Sequence, residues 1–214
     1  AGLGATAVPL SAPFQQLGGT LWSMMLQAEF DPATSRLGAF FLMDVQTGEA
    51  ITFGSDIAFS GMSVNKIAIL AALYDQLLNP PDDQTAYTIA NTMICSENIS
   101  TNRLLSELGD GNPYTGAERV TAFLTRMGFQ NTFIFTPYAN DPYITPQAPL
   151  SRTTRVDQTA AQPDPYNQLT VNEMGGLLYN LYQCSANGTG ALIDAGTFTQ
   201  TECRQMVHVM NGNR

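Results

Sequence analysis

The stretch Phe59-Ser60-Gly61-Met62-Ser63-Val64-Asn65-Lys66 holds the only lysine of a 214-residue chain, and it stands where an apolar segment begins. Positions 63–78 are almost all apolar or small, Asn65, Lys66, Asp75 and Gln76 being the polar exceptions. The pattern predicts a helix through the middle of the protein, stopped by Asn79-Pro80-Pro81. On a helix, positions i and i+3 share a face, so Ser63 and Lys66 would point into one space as a nucleophile and its base. Burial and the positive end of the helix dipole would both lower the lysine's pKa, which is how a lysine becomes a base near neutral pH. Read alone, Ser63 is equally a helix cap and Lys66 a lysine snorkelling from the first turn.

Outward from this stretch, composition sets the class. A 23.1 kDa chain that is 44% hydrophobic and 13% charged has material for one or two ordinary cores and none of the signs of disorder. Eighteen acidic against nine basic side chains give a formal charge of −9, which argues against nucleic acid or an anionic membrane surface as partner. The most apolar run, Ile67 to Leu78, is too short to span a membrane and contains Asp75, so no transmembrane segment is expected. The first residues, Ala1-Gly2-Leu3-Gly4-Ala5, have neither a start methionine nor a basic and apolar leader, as in a chain whose signal peptide has been removed. A secreted or periplasmic location is the expectation. Of three cysteines, Cys184 and Cys203 flank a Gly/Ala/Thr-rich connection and are candidates for a bridge, while Cys95, beside Met93 and Ile94, reads as a buried, inert thiol.

Helical periods and punctuation order the rest. Ser11 and Pro13 start a helix that ends near Phe30, before Asp31-Pro32. Leu37 to Val45 and Ala50 to Phe53, split by Gln46-Thr47-Gly48-Glu49, form a hairpin. Gln84 to Ile94 and Ile99 to Leu108 are two helices parted by Cys95-Ser96-Glu97-Asn98. Thr115 with Glu118, Thr170 with Glu173 and Thr199 with Glu202 each make a capping box, for helices from Gly116 to Met127, to Tyr182 and to Met210. Gly128 suits the left-handed residue that ends the first of these. Thr132 to Phe135 is a weak strand, and the proline-rich run from Thr136 to Gln168 reads as a lid or wall. Since a two-stranded hairpin is marginal alone, either it packs on helices alone or its sheet is completed by strands beyond Arg214.

Ser63-x-x-Lys66 followed by Ser96-Glu97-Asn98 resembles the serine β-lactamase and penicillin-binding protein superfamily, and class A β-lactamases most closely. The pattern Phe59 to Ser63, the helix after Lys66, the stretches Ile89 to Gly109 and Gly116 to Thr132, and the last two long helices follow the order of that family's helical domain. The resemblance implies an α+β fold, with an N-terminal helix and hairpin at 1–58 and a helical subdomain at 59–214. It implies that Ser63 attacks the carbonyl of a β-lactam or D-alanyl peptide, with Lys66 as acylation base or part of its relay. Ser96 would pass a proton to the leaving nitrogen, and Asn98 would hold Lys66 and bind the substrate's side-chain amide. A small-molecule substrate is implied and no cofactor.

Three departures from the family stand out. No glutamate lies between Glu118 and Glu173, where the family keeps its deacylating carboxylate; only Asp141, Asp157 and Asp164 do. Ser63 and Ser96 are 33 positions apart, fewer than is usual in class A. The Lys-Thr-Gly strand expected after the last helix is absent, so the chain is read as truncated or partly ordered. A β-lactamase-like hydrolase is therefore accompanied by two alternatives: a penicillin-binding or peptidase-like acyl transferase that deacylates slowly, and a catalytically silent domain kept for binding. Glu97 is expected to face solvent or pair locally. His208, the only histidine, reads as structural, so neither a Ser-His-Asp triad nor a metal centre is expected.

Overall fold

In the computed structural model, residues 8–30, 36–138 and 141–212 are described. The Ala1 to Ala5 terminus and the Asp31-Pro32 break lie outside them. Eight helices and five short strands follow one another among the described residues, the mixed α and β composition expected from the sequence. They are α1 (Ala12–Gln27), β1 (Phe40–Met43), β2 (Ala50–Phe53), β3 (Phe59–Ser60), α2 (Lys66–Gln76), α3 (Asp83–Ile94) and α4 (Asn98–Leu108). Then come α5 (Pro113–Arg126), β4 (Phe133–Ile134), β5 (Asn167–Leu169), α6 (Val171–Asn187), α7 (Ala191–Asp194) and α8 (Gln200–Met210).

Helix α2 is the axis of the core. Eight of its eleven residues are buried, Lys66 among them, and it touches α3, α4, α5 and α8. A helix apolar on every side has to be enclosed, which explains why so few polar residues occur in it. Around it α4 and α5 approach closely: a Cβ built on Gly116 would lie 1.8 Å from the Leu105 carbonyl oxygen, so only glycine admits this spacing. Helices α6 and α8 are joined by the Cys184–Cys203 disulfide, both cysteines fully buried.

The hairpin forms as the sequence reads, β1 antiparallel to β2 with Phe40 opposite Phe53 and Met43 opposite Ala50. It docks through Phe41, whose ring lies where a side chain on Gly175 of α6 would be. Helix α1 buries no residue fully, and its Trp22 ring rests against Phe53 at 4.2 Å between centroids.

Several expectations are corrected. A three-stranded sheet, order β3-β5-β4, joins Phe59–Ser60, Asn167–Leu169 and Phe133–Ile134; β4 falls within the strand expected at Thr132 to Phe135, whereas β3 and β5 escaped the sequence because two or three residues show no alternation. The capping box at Thr115 and Glu118 does not form. Asn112 caps α5 instead, its side chain accepting from the Tyr114 and Thr115 N–H groups, because Pro113 at the first position starts the helix earlier. Thr170 makes no side-chain cap, since Glu173 is drawn to the Gln130 and Asn131 N–H groups. The Thr199 and Glu202 box is present, and Gly128 has φ +94° as its position requires. Cys95 is exposed: it caps the end of α3, where Met93 turns to the core and Ile94 and Cys95 turn away.

Candidate active site

Ser63 stands just ahead of α2, in a tight turn rather than in the helix. The bonds there run three residues back, from the Val64 N–H to the Gly61 carbonyl, Lys66 to Ser63 and Ile67 to Val64. The helical face expected for Ser63 and Lys66 is thus replaced by one tighter turn, which still sets both side chains on one side. Met62, immediately before the serine, is left-handed at φ +41°, so Ser63 is thrust outward and exposed. The Ser63 N–H makes no hydrogen bond among the described residues.

Lys66, only 2% exposed, opens α2 beneath the serine. Its Nζ donates to the Ser96 carbonyl oxygen (2.6 Å), Ser96 Oγ (3.2 Å) and Asn98 Oδ1 (2.9 Å). Ser96 Oγ in turn lies 2.9 Å from Ser63 Oγ. Among the described residues Lys66 makes no direct bond to Ser63; the two meet through the Ser96 hydroxyl. Burial holds the lysine's pKa below its ordinary value, against a smaller opposite pull from the Glu97 carboxylate. Glu97 itself is exposed and bonds locally to Ser100 Oγ.

The polar break between α3 and α4 places Ser96 and Asn98. Ser96 is left-handed at φ +55°, and the Glu97 N–H bonds back to the Asn91 carbonyl, so the chain reverses within one residue and α4 begins at Asn98. Two non-glycine residues in this sparsely populated backbone region, Met62 and Ser96, flank the same cleft. Such strain persists only where the surroundings impose it, and it gathers at functional sites. All four side chains singled out from the sequence converge. The cleft, about 360 Å³, is lined by Ser63, Lys66, Ser96, Thr92 and the apolar Val64, Ile67, Met93, Leu178 and Met210.

The sequence did not reveal two groups that hold this site. Asn65, fully buried between Val64 and Lys66, sends its amide Nδ2 to the Phe133 carbonyl (3.3 Å), Asn167 Oδ1 (2.6 Å) and the Gln168 carbonyl (3.2 Å). It pins the start of α2 to the three-stranded sheet. Gly61 leaves the room for it, since a side chain there would meet both Asn65 and Asn167. Tyr138, at the head of the proline-rich run, lies with its ring 4.9 Å from Lys66 Nζ. The run is thus a wall of the site at this end.

The three aspartates of the proline-rich run have partners of their own. Asp141 accepts from the buried Asn102, Asp157 closes its own turn through Thr159, and the Asp164 side chain accepts from the Tyr166 N–H. Among the described residues no group of three or more His, Cys, Asp or Glu side chains is arranged to hold a metal ion, and no helix is long and apolar enough to cross a membrane.

With this geometry the chain can be set against known proteins. Residues 78–213, more than half of its length, match the model of the Beta-lactamase enzyme family. The matched span includes Ser96 and Asn98 and begins after Ser63 and Lys66, which the fold brings to the same place. Comparison with the curated proteins gives no match.

Proposed function

Because the chain belongs to the beta-lactamase enzyme family, we propose that it is a class A-like serine hydrolase that forms an acyl-enzyme on Ser63 with β-lactams. The observation that carries this reading is the unbroken line of polar atoms from Ser63 Oγ through Ser96 Oγ to a buried Lys66 Nζ. Neutral Lys66 takes the proton of Ser63 by way of the Ser96 hydroxyl as Ser63 Oγ attacks the lactam carbonyl. The C–N bond then breaks, and Ser96 returns the proton to the departing nitrogen, leaving an ester on Ser63. The unbonded Ser63 N–H is a donor for the developing oxyanion, a contribution on the order of 3 kcal/mol in related chemistry. Asn98 gives its oxygen to Lys66, which leaves its NH₂ for an amide carbonyl of the substrate. A secreted or periplasmic location fits the buried disulfide, which persists in oxidising compartments.

A second reading, a penicillin-binding or D-alanyl-peptidase-like transferase with slow deacylation, is favoured by one observation. No carboxylate bonds to Ser63 or Lys66 among the described residues, so none is held against the pair as a ready base for a hydrolytic water. Incubation with benzylpenicillin followed by intact mass tests both. The expected result is an adduct of one penicillin, mapped to Ser63 and lost in Ser63→Ala. Rapid release of penicilloate supports the first reading and a lasting adduct the second. No adduct at any time defeats both and leaves a catalytically silent domain.

A further inference from the structure

We propose that Tyr138 is the positioning residue of this site, its hydroxyl fixing the backbone that presents Ser63 and its ring sealing Lys66 from water. As a step of acyl transfer this rests on the reading above; the hold on Lys66 does not.

Tyr138 is tied at three points. Its N–H donates to Asn102 Oδ1 (2.7 Å), its carbonyl accepts from Asn102 Nδ2 (3.0 Å), and its phenol donates to the Met62 carbonyl (2.7 Å). Asn102 is 1% exposed and lies one helical turn beyond Asn98 on α4, so one face of that helix holds both the lysine and the tyrosine. The Met62 carbonyl belongs to the left-handed residue just before the nucleophile. Left-handed backbone at a residue with a side chain relaxes unless it is held, and here the phenol holds it. The ring face toward Lys66 Nζ attracts the ammonium through its quadrupole and also keeps water off it.

These two actions of the ring pull the lysine in opposite directions, which makes them separable. Attraction by the ring favours the charged amine, whereas exclusion of water favours the neutral one. The charged group whose field bears on Lys66 is Glu97, at the start of α4, and from the loop the facing titratable group is the Tyr138 phenol. Burial pushes that phenol well above its ordinary range, with a weaker opposing influence from the Asn167 amide, so it stays a hydrogen-bond donor and is no base.

Lys66 is the only lysine, so protein labelled with ¹³Cε-lysine gives a single side-chain resonance, and its titration reads this amine with no substrate present. Tyr138→Phe keeps the ring, and the lysine midpoint should stay where it is. Tyr138→Leu keeps the water out but loses the quadrupole, and the midpoint should fall by about one pH unit. Tyr138→Ala admits water, and the midpoint should rise by about one unit or more. Acylation by a fluorescent penicillin should slow about tenfold in Tyr138→Phe with the acid limb unmoved, because the ring stays and the hold on Met62 is lost. Midpoints that do not move, or that move together in the Leu and Ala variants, overturn the sealing role, and Tyr138→Ser, which also opens the ring's space to water, takes the place of the Ala variant if that one fails to fold. Wild-type acylation rates in Tyr138→Phe overturn the backbone role. A protein that takes no penicillin while its lysine titrates as described defeats the acyl-transfer reading and leaves the sealing role standing.

Discussion

Replacing Asn65 with alanine should be among the most damaging single changes to the site, although the residue touches no substrate. Its two amide hydrogens serve three acceptors, the Phe133 and Gln168 carbonyls and Asn167 Oδ1, in a place with no solvent access. Two net hydrogen bonds at about 1 kcal/mol each are lost, and at least one buried carbonyl is left unpaired at about 1 to 3 kcal/mol. Against this, Asn65 Oδ1 is itself buried without a partner, and alanine relieves that penalty of about 1 to 2 kcal/mol. The balance is a loss of about 1 to 4 kcal/mol, a sizeable part of the roughly 5 to 15 kcal/mol that holds a domain together. Urea unfolding followed by far-UV circular dichroism measures it, with the midpoint falling and the slope unchanged. Asn167→Ala should cost a similar amount, and the double variant less than the two added, because both remove the same bond. A loss below about 1 kcal/mol in Asn65→Ala, or full additivity with Asn167→Ala, would refute the account of this amide as the rivet between sheet and helix.

Reduction of the Cys184–Cys203 bridge, whose ends are 19 positions apart, should cost about 3 kcal/mol through the freed loop and lower Tm by roughly 6 to 12 °C; calorimetry with and without a phosphine reductant decides this. Gly116→Ala should destabilise by at least about 3 kcal/mol, because the new methyl meets the Leu105 backbone rather than a side chain that can swing away, and a denaturant midpoint close to wild type would contradict that.

The parts of this fold that follow a period were open to reading, and the parts that depend on a distant partner were not. Helix α2 was legible because its apolar residues leave no polar side, and the hairpin because a glycine turn separates two apolar runs. Ser63, Lys66, Ser96 and Asn98 were legible as two short motifs, but the contact between them was not: the meeting of Ser63 and Lys66 at the Ser96 hydroxyl depends on a left-handed residue between α3 and α4. Strands β3 and β5 are too short for alternation, and they exist because residues far off in sequence pair with them. Thr170 and Glu173 show the opposite error, a local signal overruled when the 130–131 loop claims the carboxylate. Cys95 misled because apolar neighbours were read without the helix end that turns them outward. Tyr138 carries no local mark at all, since its role lies in contacts with Met62 and Lys66 across the molecule.

The bonds that shape the cleft reach far along the polypeptide, 103 positions from Asn65 to Gln168 and 76 from Met62 to Tyr138. High contact order of this kind slows folding, since each closure costs chain entropy before any contact returns it. During synthesis Ser63 and Lys66 leave the ribosome before their partners, and their setting is complete only after residue 169 has followed them. The cleft is therefore a late product of folding, complete only when strands from both ends of this span have paired.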